Sequence, residues 1–302
     1  KKILITGANG YIGSKLVIDL ILKGFDLSII VRKDSNLSLL KNVTDKINIY
    51  YHNNSIESIV NIFKISKPDV VIHLASLFIS QHQPSDIKNL IESNIEYGTY
   101  LLEGMVQNGI KNIINTSSYW LHFNNEEYNP VNLYAATKKA FLDILFYYKE
   151  LYDLNVITLE LADIYGVDDP RKKLINILKE AVKYDNELLI SPGEQYIDLV
   201  YIDDVINAYN IALEKLINTN ANIYANYAVT SGNAISIKSL IQKIETIIGR
   251  KCNNIKIGAK QYRKREIFKK INFNKTIENW KPIISLETGL KKIFLNSNNN
   301  EN

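Results

Sequence analysis

The chain opens on a short apolar run, Ile3 to Thr6, that ends in Gly7-Ala-Asn-Gly10-Tyr-Ile-Gly13 and passes straight into an amphipathic stretch reaching Lys23. A second apolar run, Phe25 to Val31, follows at once. Strand, tight glycine turn, helix and strand within about 30 residues is the parallel βαβ unit. Parallel strands need crossover helices that cover both sheet faces, so this opening commits the chain to an α/β layered architecture. The glycines have separate physical jobs: one permits the turn, one lets backbone approach a pyrophosphate, and one lets helix and strand pack closely. The helix amino terminus then faces the anion.

The alternation continues along the chain. Ile47 to Tyr51 reads as a strand, Ser55 to Ile65 as a helix, and Val70 to Ala75 as a strand buried on both faces. Asp86 to Gln107 reads as one long helix, Asn112 to Asn115 as the core of a strand, and Val156 to Leu161 as a sixth strand. Between the last two, a helix running to about Tyr152 takes Asn129 as its N-cap and Pro130 in its first turn. Apolar residues cover most of that helix (Leu133, Ala136, Phe141, Leu145, Phe146), more than one core face needs. A homodimer through this helix (residues 130–152) and the one at 86–107 would bury the excess.

After Tyr165-Gly166 the pattern loosens. Helices are expected at Leu174 to Tyr184 and Ile237 to Ile248, with a strand at Leu199 to Ile202 and a helix opened by Asp203. The expected fold is α/β: a Rossmann-like doubly wound parallel sheet with a smaller mixed α/β substrate domain. Residues 1–166 form the dinucleotide domain, to which 198–230 return; 167–197 and 231–302 form the smaller one. The polar tail Asn296 to Asn302 reads as disordered.

Composition excludes several classes. In 302 residues, 23% are charged and the net charge is only +4, with no basic stripe of the kind nucleic acid demands. No run approaches the roughly 20 apolar residues that span a bilayer. The amino-terminal Lys1 to Ile5 lacks the features of a signal peptide. Cys252 is the single cysteine, which forbids an intramolecular disulfide and fits a reducing cytoplasm. A metal centre is not expected, and His73 reads as structural.

Three further features bear on chemistry. The second strand ends in Arg32-Lys33-Asp34, where a cation pairs with a 2′-phosphate and an acid with a ribose hydroxyl. The cation comes first, which favours NADP; Asp34 leaves NAD as the alternative. Tyr134 and Lys138 in Tyr134-Ala-Ala-Thr-Lys138 stand one helical turn apart, about 6 Å along the axis. A neighbouring ammonium favours a phenolate, so Lys138 is expected to lower the phenol pKa and to hold the nicotinamide ribose. Ile113-Ile-Asn-Thr116-Ser117-Ser118 ends a strand in hydroxyls that reach the crevice at the carboxyl edge of the sheet.

In these motifs the chain resembles the extended short-chain dehydrogenase/reductases, the branch of nucleotide-sugar epimerases, dehydratases and ketoreductases. The likeness covers nearly the whole chain. It includes Val70-Val-Ile-His-Leu-Ala75, Asn94 with Gly98-Thr99, Ile164-Tyr-Gly166 and Leu199-Val-Tyr-Ile-Asp-Asp204. It implies a catalytic triad of Ser118 (Ser117 as the alternative), Tyr134 and Lys138. It implies a cofactor, NADPH (NAD less favoured), held by Gly7, Asn9, Gly10, Tyr11, Ile12, Gly13, Arg32, Lys33, Asn53, Leu74, Ala75, Thr116 and Leu161 together with Tyr134 and Lys138. A nucleotide-sugar substrate would touch Ser76, Ser118, Trp120, His122, Asp163, Arg171 and Lys173.

Within that family, Asn115 to His122, Tyr128 to Lys138, Tyr165 to Lys173 and Ser191 to Gln195 are most similar to the CDP-abequose and CDP-paratose synthase group. That group implies NADPH-dependent reduction of a 4-keto-6-deoxy or 3,6-dideoxy sugar for surface polysaccharide, in the cytoplasm. The alternative is an NAD-dependent 4-epimerase or 4-dehydrogenase. The family's dehydratases carry Asp and Glu directly after the catalytic Thr, where this chain has Tyr119 and Trp120. Two arginines common among relatives are replaced by Ile197 and Glu160.

Overall fold

The computed structural model describes residues 1–218, 222–272 and 275–295. The polar tail from Asn296 lies outside the described residues. In chain order the elements are β1 (Lys2–Thr6), α1 (Tyr11–Leu22), β2 (Asp26–Arg32), β3 (Asn48–His52), α2 (Ile56–Ser66), β4 (Val70–His73), α3 (Ile87–Ile91), α4 (Tyr97–Gln107), β5 (Asn112–Ser118), α5 (Leu133–Tyr152) and β6 (Asn155–Leu161). Then come β7 (Asp163–Tyr165), α6 (Leu174–Tyr184), β8 (Leu188–Ile190), β9 (Tyr196–Ile197), β10 (Leu199–Tyr201) and α7 (Ile202–Asn218). The described chain closes with β11 (Tyr224–Val229), β12 (Ile235–Ser236), α8 (Ile237–Ile248), β13 (Ile255–Ile257) and α9 (Leu286–Phe294).

Seven strands form one sheet in the order β3-β2-β1-β4-β5-β6-β11, and every pairing is parallel. This is the Rossmann-like doubly wound sheet. Helices α2, α4 and α5 cover one face; α1 and α7 cover the other. Because both faces are covered, Ile3 to Ile5, Val70 to Ile72 and Ile113 to Ile114 are wholly buried without alternation. The chain winds outward from β1 to β3, then crosses back to lay β4 on the other side of β1. That reversal opens a crevice at the carboxyl ends of β1 and β4, where such sheets bind ligands.

The glycine turn fills one wall of the crevice. Gly7 has φ +69°, and a Cβ there would stand 2.6 Å from the backbone nitrogen of Ala75. At Gly13 a Cβ would come within 2.2 Å of the Gly7 carbonyl oxygen. No side chain fits at either position. Beyond the large sheet, β7 pairs with β10, β8 with β13 and β9 with β12 on the carboxyl side of the chain.

Two sequence expectations are corrected. The helix bearing Tyr134 starts three residues later than expected: Asn132, not Asn129, is its N-cap, accepting from the Ala135 N–H at 3.0 Å. Asn129 is held instead against the loop after β5, its N–H donating to the Leu121 carbonyl at 2.7 Å. Both asparagines suit a cap locally; the pairing of residues 120–131 across this loop selects between them. The expected long helix at 86–107 is interrupted by a π turn, Glu92–Glu96, between α3 and α4. It places Asn94, 1% exposed, so that its amide donates to Leu77 O and Thr137 Oγ1 and accepts from Leu77 N–H and Ser76 Oγ. A wide turn inside a helix is a common device for seating such a side chain.

Candidate active site

At the carboxyl edge of the sheet lies a cleft of about 440 Å³ lined by the glycine turn, the end of β5, α5, the Leu161–Ile164 segment and Arg171–Lys173. Of the residues singled out from sequence, it brings together Gly7, Gly10, Tyr11, Ile12, Gly13, Leu74, Ser76, Thr116, Ser118, Trp120, Tyr134, Lys138, Leu161, Asp163, Arg171 and Lys173. Ser117 also lines it. Asn9, Arg32, Lys33, Asn53 and Ala75 are not among the lining residues. Ala75 packs directly behind Gly7 and donates its N–H to Thr6 Oγ1 at 3.2 Å. Asn9 donates to Asn36 O at 3.4 Å, and Asn53 accepts from the Ser55 N–H at 3.1 Å. Arg32 and Lys33 are exposed at the end of β2, the arginine paired with Asp34 at 3.7 Å.

His122 departs from expectation. It faces a separate cavity on the α5 side of β6 and β11, with Glu160, Glu126, Glu127 and Lys275. The loop after β5 turns back upon itself, which carries Trp120 into the cleft and its neighbour-but-one out of it. His122 therefore does not line the cleft where a sugar was expected to meet it.

The electrostatics also differ from the simple ammonium–phenolate picture. Tyr134 is 9% exposed and Lys138 3%. Burial pushes the Tyr134 phenol up to about 12; the hydroxyls of Ser76 and Ser118 favour the phenolate without overcoming it, and the Asp163 charge opposes it. Burial likewise brings Lys138 down to about 8. Desolvation disfavours both charged forms, so it outweighs the attraction expected between them. The geometry thus keeps a protonated phenol beside an amine that releases its proton easily. Ser118 Oγ accepts the Trp120 backbone N–H at 3.2 Å, which fixes its direction at the strand end.

Phe78 was invisible in the sequence, as were the contacts that Arg171, Lys173 and Tyr119 make. Phe78 stacks edge-on against both Tyr134 (5.0 Å between centroids) and Trp120 (5.3 Å). The Lys173 ammonium lies 3.4 Å from the Phe78 ring centre, and burial lowers its pKa. Arg171 is no solvated turn residue: it forms a fork on Asp169 at 2.8 Å twice and lies 4.9 Å from the Tyr11 ring. Tyr119 donates its hydroxyl to Asp163. None of these pairs has a sequence period; only the fold brings residues 78, 120, 134 and 173 to one wall. Asn94 did carry a signal, as part of a recognised motif.

The glycine turn fits a dinucleotide. Its two close approaches exclude any Cβ, and no side chain caps the start of α1 at Gly10, so the helix end is open to an anionic group such as a pyrophosphate. The model of the family described as "NAD dependent epimerase/dehydratase family" matches residues 3–225. The chain belongs to the NAD dependent epimerase/dehydratase family. It is an enzyme of that family. It is 26% identical over 301 residues to a CDP-abequose synthase of Salmonella typhimurium, covering 97% of each chain. With the CDP-abequose synthase of Yersinia pseudotuberculosis it shares 27% over 269 residues, 88% of this chain and 90% of that one. Among solved structures, the UDP-glucose 4-epimerase of Thermotoga maritima superposes with a TM-score of 0.85 at 24% identity, covering 98% of this chain and 99% of that one. At that identity the likeness establishes the fold.

The buried Tyr134–Lys138 pair is open to a direct test of its electrostatics. Lys138 is bound less tightly to its proton in the folded chain (about 8) than when unfolded (10.5). Its burial therefore destabilises the fold below pH 8, and that penalty fades as pH rises towards 10.5. Lys138→Met should be more stable than the parent by roughly 2 kcal/mol at pH 7. Urea denaturation at pH 7, 9 and 10 should show the advantage closing; a constant difference would mean that Lys138 is charged and compensated in the folded state.

Proposed function

We propose that the chain is a stereospecific 4-ketoreductase that uses NADPH on the C4 keto group of a nucleotide-linked 4-keto-6-deoxy or 3,6-dideoxy hexose. The observation that carries this reading is a buried phenol held protonated near neutral pH among hydroxyls, in a cleft without the carboxylic acid pair that dehydration requires. When bound, the nicotinamide cofactor supplies the hydride. Tyr134 gives its proton to the C4 oxygen, Ser118 donates to the same oxygen as charge develops there, and Lys138 holds the ribose and returns the tyrosine proton. Ser117, also on the cleft wall, is the alternative donor.

The rest of the cleft suits a sugar diphosphate. Arg171 and Lys173 supply positive charge, while Phe78 and Trp120 offer apolar faces to a deoxygenated ring. Asp163, the one carboxylate among the described lining residues, would accept from a sugar hydroxyl. Segments 167–197 and 231–302 would form the substrate side, with 198–230 returning to the dinucleotide side. The positions after Ser118 are Tyr119, whose phenol is raised well above its ordinary range by burial and by Asp163, and Trp120. Neither can abstract the proton that a 4,6-dehydratase must remove. Cys252 is buried and is not among the residues that line the cleft, which removes it as an acid in an epimerising reductase.

The similarity to the CDP-abequose synthases named above supports this reading. Arg32 and Lys33 would receive the 2′-phosphate, and Asn9 and Asn53 would border the adenosine. No helix of the described residues is long and apolar enough to cross a membrane. The exposed Ile87, Ile91, Phe146, Tyr147 and Leu151 on α3 and α5 support a homodimer through these helices.

Three expected outcomes test the reading. Tyr134→Phe should retain NADPH binding while turnover of CDP-4-keto-6-deoxyglucose, followed by NADPH absorbance, falls at least ~100-fold. Near-parent turnover would overturn it. Arg32→Asp should weaken NADPH binding by about tenfold or more while sparing NADH, as read by fluorescence titration; equal losses would favour an NAD-dependent 4-epimerase or 4-dehydrogenase. Phe146→Glu should shift sedimentation from dimer to monomer, and a parent chain that sediments as a monomer would exclude the dimer.

A further inference from the structure

The cavity that receives His122 contains an arrangement that neither the family nor the cleft chemistry accounts for. Nδ1 of His122 lies 3.1 Å from the Glu126 carbonyl oxygen, and Nε2 lies 3.1 Å from Glu160 Oε2. Both partners are acceptors only. A neutral imidazole has one N–H, so it can satisfy one of them; the imidazolium satisfies both. The side chains are largely buried, His122 20% exposed and Glu160 13%. Among the described residues, the charged groups lining this cavity with His122 are Glu160 from β6, Glu126 and Glu127 from its own loop, and Lys275 from the carboxyl-terminal segment. Strand β11 contributes Asn226 and Ala228, which carry no charge. Carboxylates therefore dominate this cavity.

The loop held in this way is the one that builds the cleft. Two residues before His122, Trp120 forms part of the substrate wall, and its N–H orients Ser118. We propose that His122, as an imidazolium bonded to Glu160, is a positioning residue: it pins the 119–129 loop to the sheet and so sets Trp120 and Ser118 for the sugar. Arg265, bonded to Asn129 and stacked 4.1 Å from Phe123, restrains the same loop from the other side. Asn125 Oδ1 of this loop also accepts from the Asn272 N–H at 2.7 Å, and the charge of His122 controls the attachment to β6.

The direction of its pH dependence follows. Burial works against the charged ring, but the hydrogen bond and charge of Glu160, with the Glu126 and Glu127 carbonyls, raise the pKa above its ordinary value. A raised base binds its proton more tightly folded than unfolded. The attachment is thus complete below about pH 6.5 and is lost as pH climbs through the raised value.

The first test needs no substrate. NMR titration of the four histidines, with His122 assigned by its loss in His122→Gln, should give a pKa above 6.5 that falls in Glu160→Gln. Intrinsic tryptophan fluorescence should change with the same midpoint and lose that change in His122→Gln. The second test rests on the 4-ketoreductase reading. KM for CDP-4-keto-6-deoxyglucose should rise about threefold or more between pH 6 and 9 with that midpoint, kcat moving less than twofold. His122→Gln should hold the high KM at every pH, and Glu160→Gln, nearly isosteric, should move the midpoint down. A His122 pKa at or below 6.5, or one that Glu160→Gln leaves in place, overturns the inference. So does a His122→Gln enzyme with the parent KM profile. If Tyr134→Phe stays active, the ketoreductase reading falls, while titration and fluorescence still decide the role of His122.

Discussion

The structure turns on one close approach. The turn after β1, the first turn of α1 and the chain leaving β4 meet where Gly7 and Gly13 lie too near backbone for any side chain to intervene. Because β4 returns to the opposite flank of β1, this meeting point is also the topological reversal of the sheet. The seam therefore does two things at once. It locks the first crossover helix onto the sheet, and it aims the start of that helix into the place where the strands on either side of β1 diverge. The positions of Ser118, Tyr134 and Lys138 follow from strands β4 and β5 adding outward from that seam in parallel register.

Burial then decides the chemistry of the cleft more than pairing does. Tyr134 and Lys138 stand on one face of α5, where a sequence argument expects the ammonium to draw a proton off the phenol. Instead both charged forms lose hydration, and each group is driven towards neutrality. A neutral phenol between hydroxyls is matched to giving a proton to a developing alkoxide, the step that the proposed reduction asks of it. The same logic places Lys173 against an aromatic face with a lowered pKa while Asp163 restrains the shift.

Charges away from the cleft are met by local partners. Glu160 Oε2 lies 3.1 Å from His122 Nε2, and the pair lines a polar cavity beside β6 and β11. Asp198, which follows Ile197, accepts from Thr230 Oγ1 and the Ser231 N–H at the end of β11. The cleft itself is left apolar on one side and basic on another.

Much was legible in the linear chain. Glycine spacing, buried strand runs and the four-residue offset of Tyr134 and Lys138 are local, and local geometry converts them directly into a doubly wound sheet, a helix terminus and two groups on one helical face. Helices at Leu174–Tyr184 and Ile237–Ile248 were readable to the residue from their apolar period. Other matters rested on contacts between segments far apart in sequence. Which of Asn129 and Asn132 caps α5 was decided by the loop pairing of residues 120–131, and the break at Glu92–Glu96 by the four hydrogen bonds of Asn94. That His122 leaves the cleft while Trp120 enters it, and that burial rather than an ammonium sets the Tyr134 proton, depended on solvent exclusion. Periodicity encodes which residues are buried; it carries no information about which distant side chains will share the space from which water has been removed.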